Sequence, residues 1–489
     1  MATVYLITSS PFTSSRFTIH PITSLPHHDS PHHLITIYLI TVHPITKTDL
    51  AEIQPLRGWR YNATLSQNID DYVSPLFDVV SARQREALYR NPLNSIHLSV
   101  PRGEDAAGEA LRRLQEWQQA GVLRQDELPG IYAYYQYFRL PGSAREYCRK
   151  GFMCHIRAYD WAEDVVLRHE NTLPAAVNDR AELLARTEFQ TSATHGLYRD
   201  ADFELEQFMD EAMQNPLYQT EEDYQGARDV LAVIQDAAVI KRFQQVLAAR
   251  QVILADGHHR YEGSLAYRQA RQQAAGAAYT GREGWNFHLM YLTNAAADDL
   301  RILPTHRLLL ELPGGLTNAE LLARLAPYFT VLPLDDVYDL PERIAGKPWA
   351  FGLYLGEGQA YKIRLRPEVH ALLDWDTTPE VKALDLTVLH YFVIEKALGV
   401  VGPEAQRQWP GVAYVRNFPE CLTRVDRGEA RAAFITNEVT MPEVEAVCHS
   451  GAVMPPKSTF FYPKTIGGFL FSSVQADETA APFYAAFRP

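Results

Sequence analysis

The stretch that most constrains this chain is QVILADGHHRYEGSLAYR, residues 251–268. A short apolar run, residues 252–255, leads into Asp256-Gly257-His258-His259-Arg260, and a helix-forming run follows from Tyr261. A strand that passes through a glycine turn directly into a helix leaves the first backbone N–H groups of that helix unpaired, at the end where the dipole favours negative charge. Gly257 permits a backbone angle that other residues resist, while Arg260 and two imidazoles can donate charge-assisted hydrogen bonds to phosphate oxygens. This arrangement predicts a phosphate-handling site, with a nucleotide as the expected ligand and Asp256, Gly257, His258, His259 and Arg260 around it. The plainer alternative is an Asp-Gly turn capping a helix, with the histidines on the surface. Neither G-x-x-x-x-G-K-[ST] nor a post-strand G-x-G-x-x-G occurs, so the turn is not one of those phosphate loops.

Composition narrows the partners. With 489 residues, 46% hydrophobic and 21% charged, the chain is long enough for two or three domains with ample core. The net charge of -13 argues against nucleic acid, whose phosphate backbone is held by basic surfaces. Cys148, Cys154, Cys421 and Cys448 are too scattered for a zinc ribbon or a disulfide framework, and they fit buried thiols in a reducing cytoplasm. Residues 1–50 differ in kind, being rich in Thr, Ser, His, Ile and Pro, nearly uncharged and without glycine. Their longest apolar run is too short to span a membrane, and no secretory signal precedes it. A disordered leader or a mis-assigned start is expected there.

Further candidates come in chain order. Arg57 and Arg60 are either phosphate contacts or plain surface arginines, and Asp78 is either a carboxylate for hydroxyl activation or a turn residue. Residues 131–140 and 151–161 suit strands joined through Pro141-Gly142-Ser143. His169 and Glu170 follow an apolar strand, and Asn178-Asp179-Arg180 is expected to open a helix. A carboxylate and a histidine beside a basic helix start supply general-base and phosphate-neutralising chemistry, although a Glu170–Arg180 salt bridge would explain the same residues. His195 is a possible addition to the pocket. Position 173 is Leu, so no H-E-x-x-H exists and no metal ligands are assigned. Residues 200–250 look helical. Thr305, His306 and Arg307 form a second polar cluster. Lys457 follows two prolines in a stiff segment that either reaches a phosphate or packs as a lid.

DGHHRYEGSLAYR resembles the motif of the bacterial domain of unknown function 1015 family. So do SPLFDVVS (74–81), RHENTLP (168–174), NDRAELL (178–184), LPTHRLL (303–309), LDLTVLHYFVIE (384–395) and MPPKSTFFYPK (454–464), in that order over roughly residues 51–475. The turn is also similar to the phosphate turn of the group that holds sulfiredoxin, chromosome-partition protein B and the free serine kinase. That likeness implies that Gly257, His259 and Arg260 bind nucleotide phosphates, and that Thr305, His306 and Arg307 face the same cleft.

The expectation is therefore an α/β (α+β) protein, with a mixed-sheet core carrying a partition protein B/sulfiredoxin-like unit over residues 51–311 and a C-terminal α/β domain over residues 312–489. Its expected function is nucleotide-dependent phosphoryl transfer, using ATP or ADP with Mg²⁺, to a small hydroxylated metabolite for which free serine is the leading candidate. Glu170, or else Asp78 or Glu262, would accept the hydroxyl proton, with His169 as a further catalytic candidate, and Arg180, Arg307 and Lys457 would offset charge. Two rivals stay open: a non-catalytic nucleotide-binding regulator of the partition protein B type, and a metal-dependent phosphoesterase.

Overall fold

The structure, a computed structural model, describes residues 51–77, 79–222 and 226–478, together with the backbone of one antiparallel strand pair, Ser15–Pro21 with Tyr38–Pro44. Asp78 and the remaining expectations for residues 1–50 lie outside the described residues.

The architecture is mixed α/β. A nine-stranded sheet comprises β1 (Ile53–Gln54), β2 (Ile131–Arg139), β3 (Glu146–Arg157), β4 (Val166–Leu167), β5 (Thr194–Tyr198), β6 (Tyr218–Glu222), β7 (Ala227–Ile234), β8 (Val252–Asp256) and β9 (Phe287–Asn294). Their order is β6-β7-β2-β3-β9-β5-β8-β4, with β1 also paired to β3. The β5/β9 and β8/β4 pairs are parallel, and the other pairs are antiparallel. Alternation along each strand serves two cores. Ile131, Ala133 and Tyr135 of β2 join Phe152, Cys154 and Ile156 of β3 on one face. Tyr132, Tyr134 and Met153 join Leu289 and Tyr291 of β9 on the other. The aromatic side chains of these strands are sheet core.

The expected helical run at 200–250 is corrected: β6 and β7 occupy part of it as an antiparallel pair. Residues 230–234 are apolar throughout, and β7 pairs with β2 from Arg228 to Ile234, so burial on both faces of the sheet overrides local helix propensity. Only Ala237–Leu247 forms a long helix there, laying Ile240, Phe243 and Leu247 on the sheet. Helix α1 (Pro174–Thr187) starts four residues before Asn178, with proline in the first turn where its missing N–H costs nothing. Arg180 therefore lies within the helix and not at its start. Helix α2 (His258–Ala275) follows β8 with Gly257 as its only intermediary, and packs on α1 so closely that a Cβ on Gly263 would stand 3.1 Å from the Ala181 nitrogen.

A second, antiparallel sheet of six strands contains β10 (His306–Leu309), β11 (Phe329–Leu334), β12 (Ala350–Tyr354), β13 (Ala360–Leu365), β14 (Val412–Val415) and β15 (Ala432–Ile435), ordered β11-β13-β12-β15-β10-β14. Because β10 precedes Leu312-Pro313-Gly314-Gly315, the chain enters this sheet one strand before its composition break. The last described segment then returns as a strap. Residues 461–462 pair with 301–302, 466–467 with 74–75 and 472–473 with 189–190, while Phe471 bridges to Trp59. This strap crosses the end of β8.

Candidate functional site

Gly257 has φ +92°, and a Cβ there would stand 2.7 Å from Thr194 Cγ2 and 2.8 Å from Arg260 Nη2, so both the angle and the space demand glycine. It also leaves α2 without a side-chain cap and with no acidic residue in its first turn. The residues of that turn, Gly257 to Arg260, line a cavity of about 200 Å³. Its wall gathers Glu170, Asp256 to Arg260, Thr305 and Lys457, eight of the residues predicted from sequence, and adds Tyr414, Arg416, Thr459, Phe460 and Lys464. Four cationic side chains and two carboxylates thus share one concave surface at a helix N-terminus, which suits a polyanion.

The charges differ in what they are free to do. Asp256 lies between Lys464, which contacts its Oδ1, and Arg260, whose Nη2 is 2.9 Å from its Oδ2. Burial opposes ionisation of Asp256, but Lys464 and then Arg260 overcome it and hold the carboxyl well below its usual range. A buried carboxylate repels phosphate, and Asp256 here stands on the cavity wall as the organiser of two cations. Arg260 is also engaged elsewhere, donating to Ser192 Oγ at 3.0 Å and to the Ala193 carbonyl at 2.7 Å. It braces the turn. His258 is buried, with its Nε2 unpartnered, and burial followed by the neighbouring His169 pushes its pKa well down. His259 Nε2 accepts the Leu173 N–H at 3.0 Å and so ties α2 to the start of α1. Lys457 and Glu170 are the least encumbered groups: among the described residues neither side chain has an ion pair. Arg416 and Lys464 stand 3.7 and 4.7 Å from the Phe460 ring centre.

His169 does not line the cavity but supports it. Its ring meets His258 edge-on at 4.8 Å, and its Nε2 is 2.8 Å from Thr459 Oγ1 on the cavity wall. Other expected residues lie off the site. Arg180 donates to Asp179 and to the Ser99 carbonyl and lines a separate crevice beyond Arg260, because the earlier start of α1 carries it away. His306 is buried and accepts the Thr436 N–H at 3.2 Å through Nδ1, and burial holds it down at about 4. Arg307 is fully buried, donating to the carbonyls of Thr305, Pro456 (3.0 Å) and Lys457 (3.3 Å). It positions the loop that carries Lys457 and does not itself reach the cavity. His195 is likewise buried, bonded to Thr293 Oγ1 at 2.7 Å and stacked on Tyr291.

Arg57 pairs with Glu478 and Arg60 with Asp126, outside the cavity. Tyr414, Arg416 and Lys464 escaped the sequence reading since they come from distant elements. Lys464 alone had a local signal, the basic end of the stiff segment that holds Lys457. Among the described residues, the one group of three potential metal ligands, Asp200, Asp202 and Glu204, lies elsewhere.

Fold and site together define a mixed α/β protein with a cationic cleft between two sheets. The chain belongs to the family described as "Protein of unknown function (DUF1015)", whose model matches residues 53–387. That match covers the turn but ends before the strap at 454–474, which the resemblance above included. Among curated proteins, none matches the chain. Similar solved structures include a free serine kinase variant in complex with AMP (14% identity, 68% of this chain and 94% of that chain, TM-score 0.34). Others are a conserved hypothetical protein from Pyrococcus furiosus (13%, 61% and 87%, 0.30) and SbnI with C-terminal truncation from Staphylococcus aureus (12%, 67% and 88%, 0.28). At these identities and scores the likeness carries no functional argument. No helix among the described residues is long and apolar enough to cross a membrane.

Proposed function

We propose that this chain is a nucleotide-dependent phosphotransferase, acting in the cytoplasm on a small hydroxylated metabolite, with ATP or ADP and Mg²⁺ as donor and free serine as the first acceptor to test. The observation that carries the proposal is the union, on one cavity wall, of a helix start without a side-chain cap and of Lys457 and Glu170, neither of which has an ion pair among the described residues. In this reading the N–H groups of the first turn of α2 and the Lys457 ammonium bind the transferring phosphates, with Arg416 and Lys464 adding positive field. Glu170 accepts the hydroxyl proton of the acceptor, and Arg260 and Asp256 keep the turn in register. The similarity of the turn to those of partition protein B and sulfiredoxin belongs to the same proposal.

Calorimetry with ATP, ADP and CTP in the presence of Mg²⁺, followed by a transfer assay with serine, tests it. Lys457→Met is expected to weaken nucleotide binding by roughly tenfold or more, the loss of about one charge-assisted hydrogen bond. Glu170→Gln is expected to bind normally and to turn over roughly 100-fold or more slowly. Binding that leads to no transfer on any acceptor would favour a regulatory nucleotide-binding protein. Phosphate release that needs a metal but no nucleotide would favour a phosphoesterase.

A further inference from the structure

Thr459 presents a hydroxyl on the wall of the phosphate cavity, and the His169 Nε2 stands 2.8 Å from it. This is the separation of a nucleophile from its base. His169 is 1% exposed and held on several sides, by the His258 ring at 4.8 Å, by the Phe461 ring at 6.1 Å and through its own carbonyl, which accepts the Met454 N–H at 2.9 Å. The charged groups acting on it are Glu170, Lys464 and Asp256. Burial lowers its pKa from the ordinary value, against an opposing pull from Glu170, so the ring is neutral at pH 7 and able to take a proton. Around the hydroxyl, Lys457, Lys464 and Arg416 line the same cavity and would offset the charge of a phosphoryl group.

From this juxtaposition we infer that Thr459 is a phosphoryl acceptor, activated by His169, and that the chain forms a phosphothreonine within its own cleft. The inference rests on the phosphoryl-donor reading above. In the step, with the His169 proton on Nδ1, Nε2 takes the hydroxyl proton as Oγ1 forms a bond to the terminal phosphorus of the donor. The bond from that phosphorus to the bridging oxygen breaks, and its electron pair leaves with the departing ADP. The product places a dianion beside Lys457, Lys464 and Arg416, where it competes for the groups assigned to the donor phosphates. Phosphothreonine would thus restrain further nucleotide binding until it is removed or passed on.

The test is intact-mass analysis of the full chain incubated with Mg²⁺ and either ATP or acetyl phosphate, followed by peptide mapping. An acid-stable gain of about 80 Da, the mass of one phosphoryl group, is expected on Thr459. It should persist in Thr459→Ser, vanish in Thr459→Val, and form roughly 100-fold or more slowly in His169→Asn, which loses the base. A purely structural Thr459–His169 contact would give no such label. Absence of label with both donors overturns the inference, and so does label confined to another residue, including an acid-labile label on His258. If calorimetry shows ATP bound while no label forms, Thr459 fails and the nucleotide reading stands. Label from acetyl phosphate without ATP binding has the reverse meaning.

Discussion

At the scale of single residues, Gly257 and Arg307 show how little of a site needs to touch a ligand. Gly257→Ala forces a side chain into the left-handed region and onto Thr194 and Arg260. The expected cost is about 1–3 kcal/mol, measured as a shift in the urea midpoint, with phosphate binding falling alongside. Arg307 has the opposite design, a buried guanidinium that satisfies three carbonyls. One of them belongs to Lys457, whose own φ of +54° is a conformation that residues other than glycine seldom keep unaided. Arg307→Met leaves those carbonyls without their donor, at about 1–3 kcal/mol for each buried group that finds no substitute. A higher KM for the phosphate donor with a nearly unchanged kcat would show that Arg307 acts by placing Lys457. An unchanged KM would refute that role.

At the scale of elements, the decisive contact is between the end of β8 and the strap. Asp256 and Lys464 are 208 positions apart in sequence and form an ion pair that closes the cavity floor. The folded pKa of Asp256 is depressed, so the stability it contributes is fully present above the unfolded value of about 3.9 and is lost as pH falls through the folded value. Lys464→Met leaves the carboxylate with Arg260 as its only close cation among the described residues, and is expected to cost about 3–5 kcal/mol at pH 7. The gap between wild type and variant should narrow as pH falls below about 4, because the unfolded chain and the variant's carboxyl take up a proton while Asp256 of the folded wild type stays ionised, and denaturant titrations at pH 7 and pH 3.5 would show it. A gap that stays constant would place the energy of the contact elsewhere.

At the scale of the whole molecule, several histidines are buried in a neutral state. Burial, the largest cause in each, lowers His155 and His306 to about 4 and His288 and His390 to about 3. Unfolded histidines take up protons near pH 6.5, so these four contribute stability that is complete above that pH and is lost as pH falls toward the folded values. Near pH 5 the unfolding free energy should fall by roughly 5 kcal/mol per pH unit. Urea midpoints at pH 7, 6 and 5 test this, and a flat profile would mean that the histidines have water or partners in the folded state. None of this acid sensitivity is visible from the net charge of -13.

What the sequence by itself determined is what local rules control. The β8–turn–α2 unit, the strand pair around Pro141-Gly142-Ser143, the Ser81 helix cap and the alternation of strand and helix from Val412 to Ile435 all follow from periodicity, glycine and capping chemistry within a few residues. Seven of the cavity residues were legible for the same reason, clustering in short polar runs beside apolar strands, and Lys457 was legible from the two prolines that stiffen its segment. Tertiary structure alone decided which charges are spent and which are free. Asp256, Arg260 and Arg307 read as ligand groups in isolation, yet each is engaged by partners from other elements, whereas among the described residues Glu170 and Lys457 have no ion pair. It also made a strand of residues 227–234 and drew Arg416, Thr459 and Lys464 to the turn. Pairing across long sequence separations depends on the burial available in the assembled core, a quantity that no short window of sequence contains.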